Sequence, residues 1–182
     1  MEQEPMRTFL SAESISTHRE YLKKLRLKYS VLCKSAPMLA GLDLLEVWRK
    51  MSKSDIKTEA VLLLSEITAH EIYFDSFSER RTPCGVLRKA FGSEDAFLYE
   101  LYKTARGSRS GFLYVFADTH GSVRCELHED GGFFFTKQKP LLALDLFEHA
   151  YFRDYGFERE RYIESAISRL DLSKIKEYFE ND

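Results

Sequence analysis

The chain has few cysteines, almost no net charge and no long apolar run, and each lack removes a class of protein. Its three cysteines, Cys33, Cys84 and Cys125, are odd in number and widely spaced, so they form neither a disulfide framework nor a zinc knuckle. A reducing, cytoplasmic compartment is the expectation. A formal net charge of −2 offers no bulk attraction to nucleic acid, and no such partner is expected. No apolar stretch approaches the roughly 18 residues that a helix needs to cross a bilayer, so no membrane segment is expected. Met1 to Phe9 holds no apolar run behind a basic start, which argues against a signal peptide. There are no internal repeats and no low-complexity tract.

What is present is apolar mass: 44% hydrophobic and 14% aromatic residues, enough for one domain or two lobes on one core. Ile15, Leu22, Leu25, Tyr29 and Leu32 recur at helical spacing behind a capping Ser11 or Ser14. After a break at Pro37 and a short segment from Leu42 to Met51, the period returns through Ala60, Leu63, Leu64, Ile67, Phe74 and Phe77. Residues 14–78 therefore read as a helical hairpin. A charged stretch with Pro83 marks a boundary, with a hairpin domain over 1–84 and an α/β domain over 85–182. Two helices follow near 87–90 and 94–105. From Phe112 the period changes to alternation, giving one strand, a turn at Asp118–Gly121 and a return strand through Val123, Cys125 and Leu127. Phe133 to Phe135 reads as a third strand of a meander, and 146–154 and 158–179 as helix. The fold class is α+β: a long-helix hairpin, then an α/β lobe with a three-stranded antiparallel sheet.

Of five histidines, His120 and His128 fall at a turn and a strand end. His18 and His70 lie on the apolar stripes of the two long helices, and His149 follows Asp145 by four residues in an apolar segment. Facing helices can bring such rings together, and imidazoles with one carboxylate suit a first-row metal. The spacing alone leaves the plainer reading open. A histidine on an apolar stripe also serves as a hydrogen-bonded core residue, and Asp145 with His149 as a helix cap and its neighbour.

The segment Asp145-Leu146-Phe147-Glu148-His149-Ala150-Tyr151 closely resembles the Asp-x-Trp-Glu-His-Ala-Tyr signature of iron/manganese superoxide dismutases. Pro140-Leu141-Leu142 precedes it, and Tyr155, Arg159 and Tyr162 follow, as in that family. Upstream, Phe91-Gly92-Ser93, Gly107-Ser108 and the stretch from Leu10 to His18 are similar as well, so the resemblance spans roughly residues 10–180. It implies that His18, His70, Asp145 and His149 hold one iron or manganese ion per subunit. It also implies an α+β fold like the one read independently above, and an enzyme whose metal alternately takes an electron from one superoxide and gives it to another. Glu148 resembles the glutamate that reaches the partner subunit, which implies a homodimer through the Glu148–His149 region.

The surroundings depart from the family. Leu22 and Arg26 stand where a histidine and a tyrosine are usual, Phe74, Phe147 and Phe112 where tryptophans are common, and Phe152 where a tyrosine is. The glutamine that bonds the metal's solvent has no counterpart: its two family positions hold Glu66, and Glu129 or Asp130. Arg26 and Glu66 are therefore the candidate catalytic groups, expected to form a charge pair beside the metal. Arg159 matches a basic residue near the family's substrate entrance. Two alternatives accompany the dismutase reading: a metal-binding relative with little activity, serving storage, sensing or scaffolding, and a different metalloenzyme such as a hydrolase.

Overall fold

The computed structural model describes residues 5–50, 54–79, 83–118, 120, 122–129 and 140–180. After a single 3-10 turn at Pro5–Thr8, helix α1 (Ala12–Ser35) begins at Ser11, whose side chain accepts the Ser14 N–H. It ends at Ala36, before Pro37, which cannot continue the ladder. A short α2 (Leu44–Lys50) leads to α3 (Asp55–Asp75), capped by Ser54 through the Lys57 N–H. The buried positions of α1, Ser14, Ile15, His18, Leu22 and Leu25, form one stripe that packs against α3. The hairpin is as the apolar period predicts.

Helices α4 (Gly85–Phe91) and α5 (Glu94–Gly107) lead into the sheet: β1 (Phe112–Ala117), β2 (Val123–His128) and β3 (Leu142–Asp145). All pairings are antiparallel, in the order β2-β1-β3. Among the described residues the third strand is Leu142–Asp145, laid against the far edge of β1. Phe133–Phe135 lies outside the described residues. All four residues of β3 are buried, so the strand shows no alternation to read.

Gly111 opens β1 at φ +120°, where a side chain would drive into the His128 carbonyl, and its own carbonyl accepts the Leu146 N–H at 2.8 Å. The C-terminal part divides into α6 (Glu148–Tyr155), α7 (Arg159–Ile167) and α8 (Ser173–Glu180). The expected single helix over 158–179 breaks at Ser168–Leu172 because that backbone pairs with the end of α3. Leu170 bridges Phe77, the Ser78 N–H donates to the Arg169 carbonyl, and the Asp171 N–H donates to the Ser76 carbonyl. One apolar core runs through both sides of residue 84, from Met6 and Ile15 to Phe97, Tyr114 and Ile175.

Candidate metal centre

A different local device delivers each of the four side chains. His18 stands on the buried stripe of α1, one turn from Ser14 and one from Leu22. His70 shares the inner face of α3 with Ile67 and Tyr73. Asp145 ends β3 opposite Phe112, and His149 lies in the first turn of α6. The helix and the strand are locked together by Ser76, fully buried beyond the end of α3. Its hydroxyl donates to the Ile72 carbonyl at 2.7 Å and accepts the Ala143 N–H at 2.8 Å.

Asp145 is held by its backbone and by one carboxylate oxygen. The buried Tyr162 hydroxyl donates to its carbonyl at 2.7 Å, and Oδ1 accepts the Phe147 N–H at 2.8 Å. Oδ2 is left facing the histidines: 3.0 Å from His149 Nε2, 3.2 Å from His18 Nε2 and 3.7 Å from His70 Nε2. His70 Nδ1 lies 2.6 Å from the Glu66 carbonyl. A carbonyl only accepts, so Nδ1 carries the proton and Nε2 presents a lone pair, 3.3 Å from His149 Nε2.

The four donor atoms all lie within 4.8 Å of one another. His18 Nε2 and Asp145 Oδ2 are buried, and neither has a hydrogen-bond partner among the described residues. Buried polar atoms without a well-formed hydrogen bond are costly, and a shared cation removes that cost. Donors bonded to one first-row ion at about 2.0–2.2 Å stand about 3–4 Å apart, which matches the 3.0–3.7 Å between the pairs given above, the remaining pairs lying within 4.8 Å. Three nitrogens and one carboxylate oxygen thus fit such an ion, and His18, His70, Asp145 and His149 are brought together as the sequence suggests.

The charges follow from burial and contact. Burial opposes ionisation of Asp145, but the His149 and His18 imidazoles outweigh it and hold the carboxyl well below its usual range. Burial lowers His70 to about 4 despite the nearby Asp145 carboxylate, so its ring stays neutral. His149 moves the other way. Its burial is outweighed by the Asp145 carboxylate, with Glu66 adding to the upward shift. An ionised aspartate and a neutral imidazole are the forms that bind metal.

The sequence model of iron/manganese superoxide dismutases, C-terminal domain, matches residues 84–178, just over half of the chain. The chain belongs to the iron/manganese superoxide dismutase family. That family binds iron or manganese, and the cluster above is the candidate site. The chain is similar to an iron superoxide dismutase of Cupriavidus metallidurans, 26% identical over 131 residues covering 68% of this chain and 66% of the relative. It is also similar to manganese superoxide dismutase 1 of Halobacterium salinarum, 28% identical over 121 residues covering 61% and 59%. The chain thus spans less than two thirds of the length of these superoxide dismutases.

Around the ligands, aromatic rings take the places where the family commonly has tryptophan. Phe74 packs on His18 at 5.0 Å and carries the Arg19 guanidinium on its face. Phe147 stacks on His149 at 5.7 Å and meets Phe112 edge-on. Leu22 is buried with Leu25 and Ile67 in a small apolar cluster.

The expected Arg26–Glu66 pair does not form. Arg26 reaches Glu71 instead, at 2.8 Å on an exposed surface, because α3 places Glu71 rather than Glu66 opposite it. Glu66 accepts instead from Tyr21, whose hydroxyl is 3.0 Å from Oε2. Tyr21 was not among the expected site residues, yet its ring lies 4.9 Å from that of His149 and 5.3 Å from that of His70. The available signal was its position three residues after His18, on the same side of α1. Burial and the Glu66 carboxylate raise its hydroxyl to about 12, so it remains a donor.

Arg159 caps the end of α5, its Nη2 donating to the Ala105 carbonyl and the Ser108 hydroxyl. Asp130, the other candidate for the missing glutamine, lies outside the described residues.

Proposed function

We propose that this chain is a superoxide dismutase, disproportionating superoxide to dioxygen and hydrogen peroxide at one iron or manganese ion per subunit. Convergence of His18, His70, Asp145 and His149 within 4.8 Å, with buried polar atoms of His18 and Asp145 left without a hydrogen bond, carries the reading. The bound ion supplies one-electron transfer in both directions.

The protein's own residues supply geometry and access. The Phe147 N–H and the Tyr162 hydroxyl fix Asp145, and the Glu66 carbonyl fixes the His70 tautomer. Tyr73, Phe74 and Phe112 wall the inner side against water. The side chain of His149, 36% exposed, marks the opening to a small anion. The Glu66 carboxylate beside it adds negative charge, which favours the higher oxidation state of the ion. Arg26 adds a surface cation that draws anions, weakened by Glu71.

We infer a homodimer through the Glu148–His149 region. Next to that opening α6 exposes Glu148, and Phe152 (45% exposed) meets Phe157 (95% exposed) edge-on at 5.4 Å. Among the described residues no helix is long and apolar enough to cross a membrane. The unpaired Cys33, Cys84 and Cys125 suit the reducing cytoplasm.

A second reading, a metal-binding relative that dismutes poorly, is favoured by one observation: apolar Leu22 and the outward-paired Arg26 fill positions that are polar or tyrosine in the family. Metal analysis with a superoxide disproportionation assay on iron- and manganese-loaded protein decides between them. Fast turnover that disappears in His149→Ala supports the dismutase. Bound metal without turnover selects the second reading.

A further inference from the structure

Three of the four ligand side chains are sealed, with His18 1%, His70 2% and Asp145 0% exposed, while His149 is 36% exposed. Whatever reaches the cluster comes past His149. Two residues stand there: Tyr21, and Glu66 at a position where the family has glutamine. Tyr21, itself 37% exposed, lays its ring over His149 at 4.9 Å and 36° and over His70 at 5.3 Å. Its hydroxyl donates to Glu66 Oε2 at 3.0 Å.

Glu66 is tied to the centre at its backbone, because its carbonyl takes the His70 Nδ1–H. The backbone at Glu66 is thus coupled to the candidate ligand His70, while its side chain points to Tyr21. On its other side Glu66 borders a cleft of about 1020 Å³ between the outer parts of α1 and α3, lined also by Leu27, Lys28, Val31 and Leu62. The carboxylate is held by Tyr21 beside the opening, and the solvent of the cleft, which Lys28 also lines, is the space next to it into which a released side chain could turn.

We propose that Tyr21 and Glu66 form a charged gate on the open side of the metal centre, the phenol holding the carboxylate where it opposes the entry of anions. The proposal rests on the metal-centre reading above. Tyr21 is a positioning residue: it acts through Glu66, which carries the charge. The gate selects by charge and not by size, so it weakens the binding of every small anion in the same sense. A single carboxylate several ångströms from an anion in a half-solvated site changes its affinity by about tenfold.

The test is azide binding, followed by the visible spectrum of iron-loaded protein whose metal content is measured first. Glu66→Gln is expected to tighten azide about tenfold. Tyr21→Phe, which removes only the hydroxyl, is expected to tighten it in the same direction, because the released carboxylate turns into the cleft. The double variant should bind azide no more tightly than Glu66→Gln alone, since Tyr21 has nothing to hold once the charge is gone. Additive effects, or an azide affinity unmoved by Tyr21→Phe, overturn the gate. Iron-loaded protein that shows the coupled pattern without dismutation keeps the gate and sinks the dismutase reading. Dismutation with unchanged azide affinity in both variants does the reverse. Wild-type chain that takes up neither iron nor manganese sinks both.

Discussion

Behind the cluster, the polar contacts that fix it among the described residues run to backbone groups. Asp145 is gripped by the Phe147 N–H and the Tyr162 hydroxyl, His70 by the Glu66 carbonyl, and the α3–β3 junction by Ser76. In front of it, the contacts join side chains that solvent reaches: Tyr21 to Glu66 and Arg26 to Glu71. The rear holds its geometry because the atoms that define it cannot rotate away. The front can be rearranged at little cost, since an exposed pair is worth about 0–1 kcal/mol. A frame of this kind can thus keep a candidate ligand set in place while the residues in front of it vary.

The comparison breaks first at Asp145. Replacing it with asparagine keeps the shape but removes the charge facing all three histidines, and metal affinity should fall by more than about a hundredfold, read by metal content after dialysis. If Asp145→Asn retains full metal, the rear does not define the site. Next comes Gly111→Ala. Its methyl group would meet the His128 carbonyl, and φ +120° disfavours any side chain, so a loss of about 2–4 kcal/mol in chemical denaturation is expected. Wild-type stability in that variant would show that the start of β1 yields.

A pH titration sharpens the contrast within the rear itself. In metal-free protein, NMR should find His70 neutral down to about pH 4, against an ordinary value of 6.5. Between these values the unfolded chain binds a proton that the folded chain refuses, so this group lowers stability as pH falls from about 6.5 to 4. His149, whose value is raised, works in the opposite sense and keeps its proton to higher pH than usual. Two rings titrating together near 6.5 would contradict the buried, unequal pair. The smallest effect belongs to the front: Arg26→Ala should change stability by about 0.5 kcal/mol or less and leave metal content unaltered. A large loss of metal there would mean that the surface pair supports the ligands after all.

Much of this was legible from period and spacing. The stripe Ile15, His18, Leu22, Leu25 forms a helix in any context that buries one side, and Ser11 and Ser54 cap as their side chains dictate. The strand at Leu142–Asp145 was not legible. Leu142–Asp145 is buried throughout, so burial left no alternation, and the aromatic run at Phe133–Phe135 carried the stronger strand signal. The break at Ser168–Leu172 was hidden too, because it arises from pairing with the distant end of α3. At the site, His18 and His70 were visible as polar residues on apolar stripes, and the candidate ligand set as a whole only through the resemblance of Asp145–Tyr151 to the family signature. Tyr21 was not, since a half-exposed tyrosine on a charged helix face looks like any other.

The sequence by itself determined the helical hairpin and the β1–β2 hairpin, because those depend on local period, capping and turn chemistry; the four candidate metal ligands came from the resemblance to the family signature, since spacing alone left them open. Only the tertiary structure decided that Arg26 meets Glu71, that Tyr21 meets Glu66, and that Asp145 turns one oxygen inward. Those outcomes depend on the relative rotation and offset of α1, α3 and β3, which packing across the whole core sets and no short segment encodes.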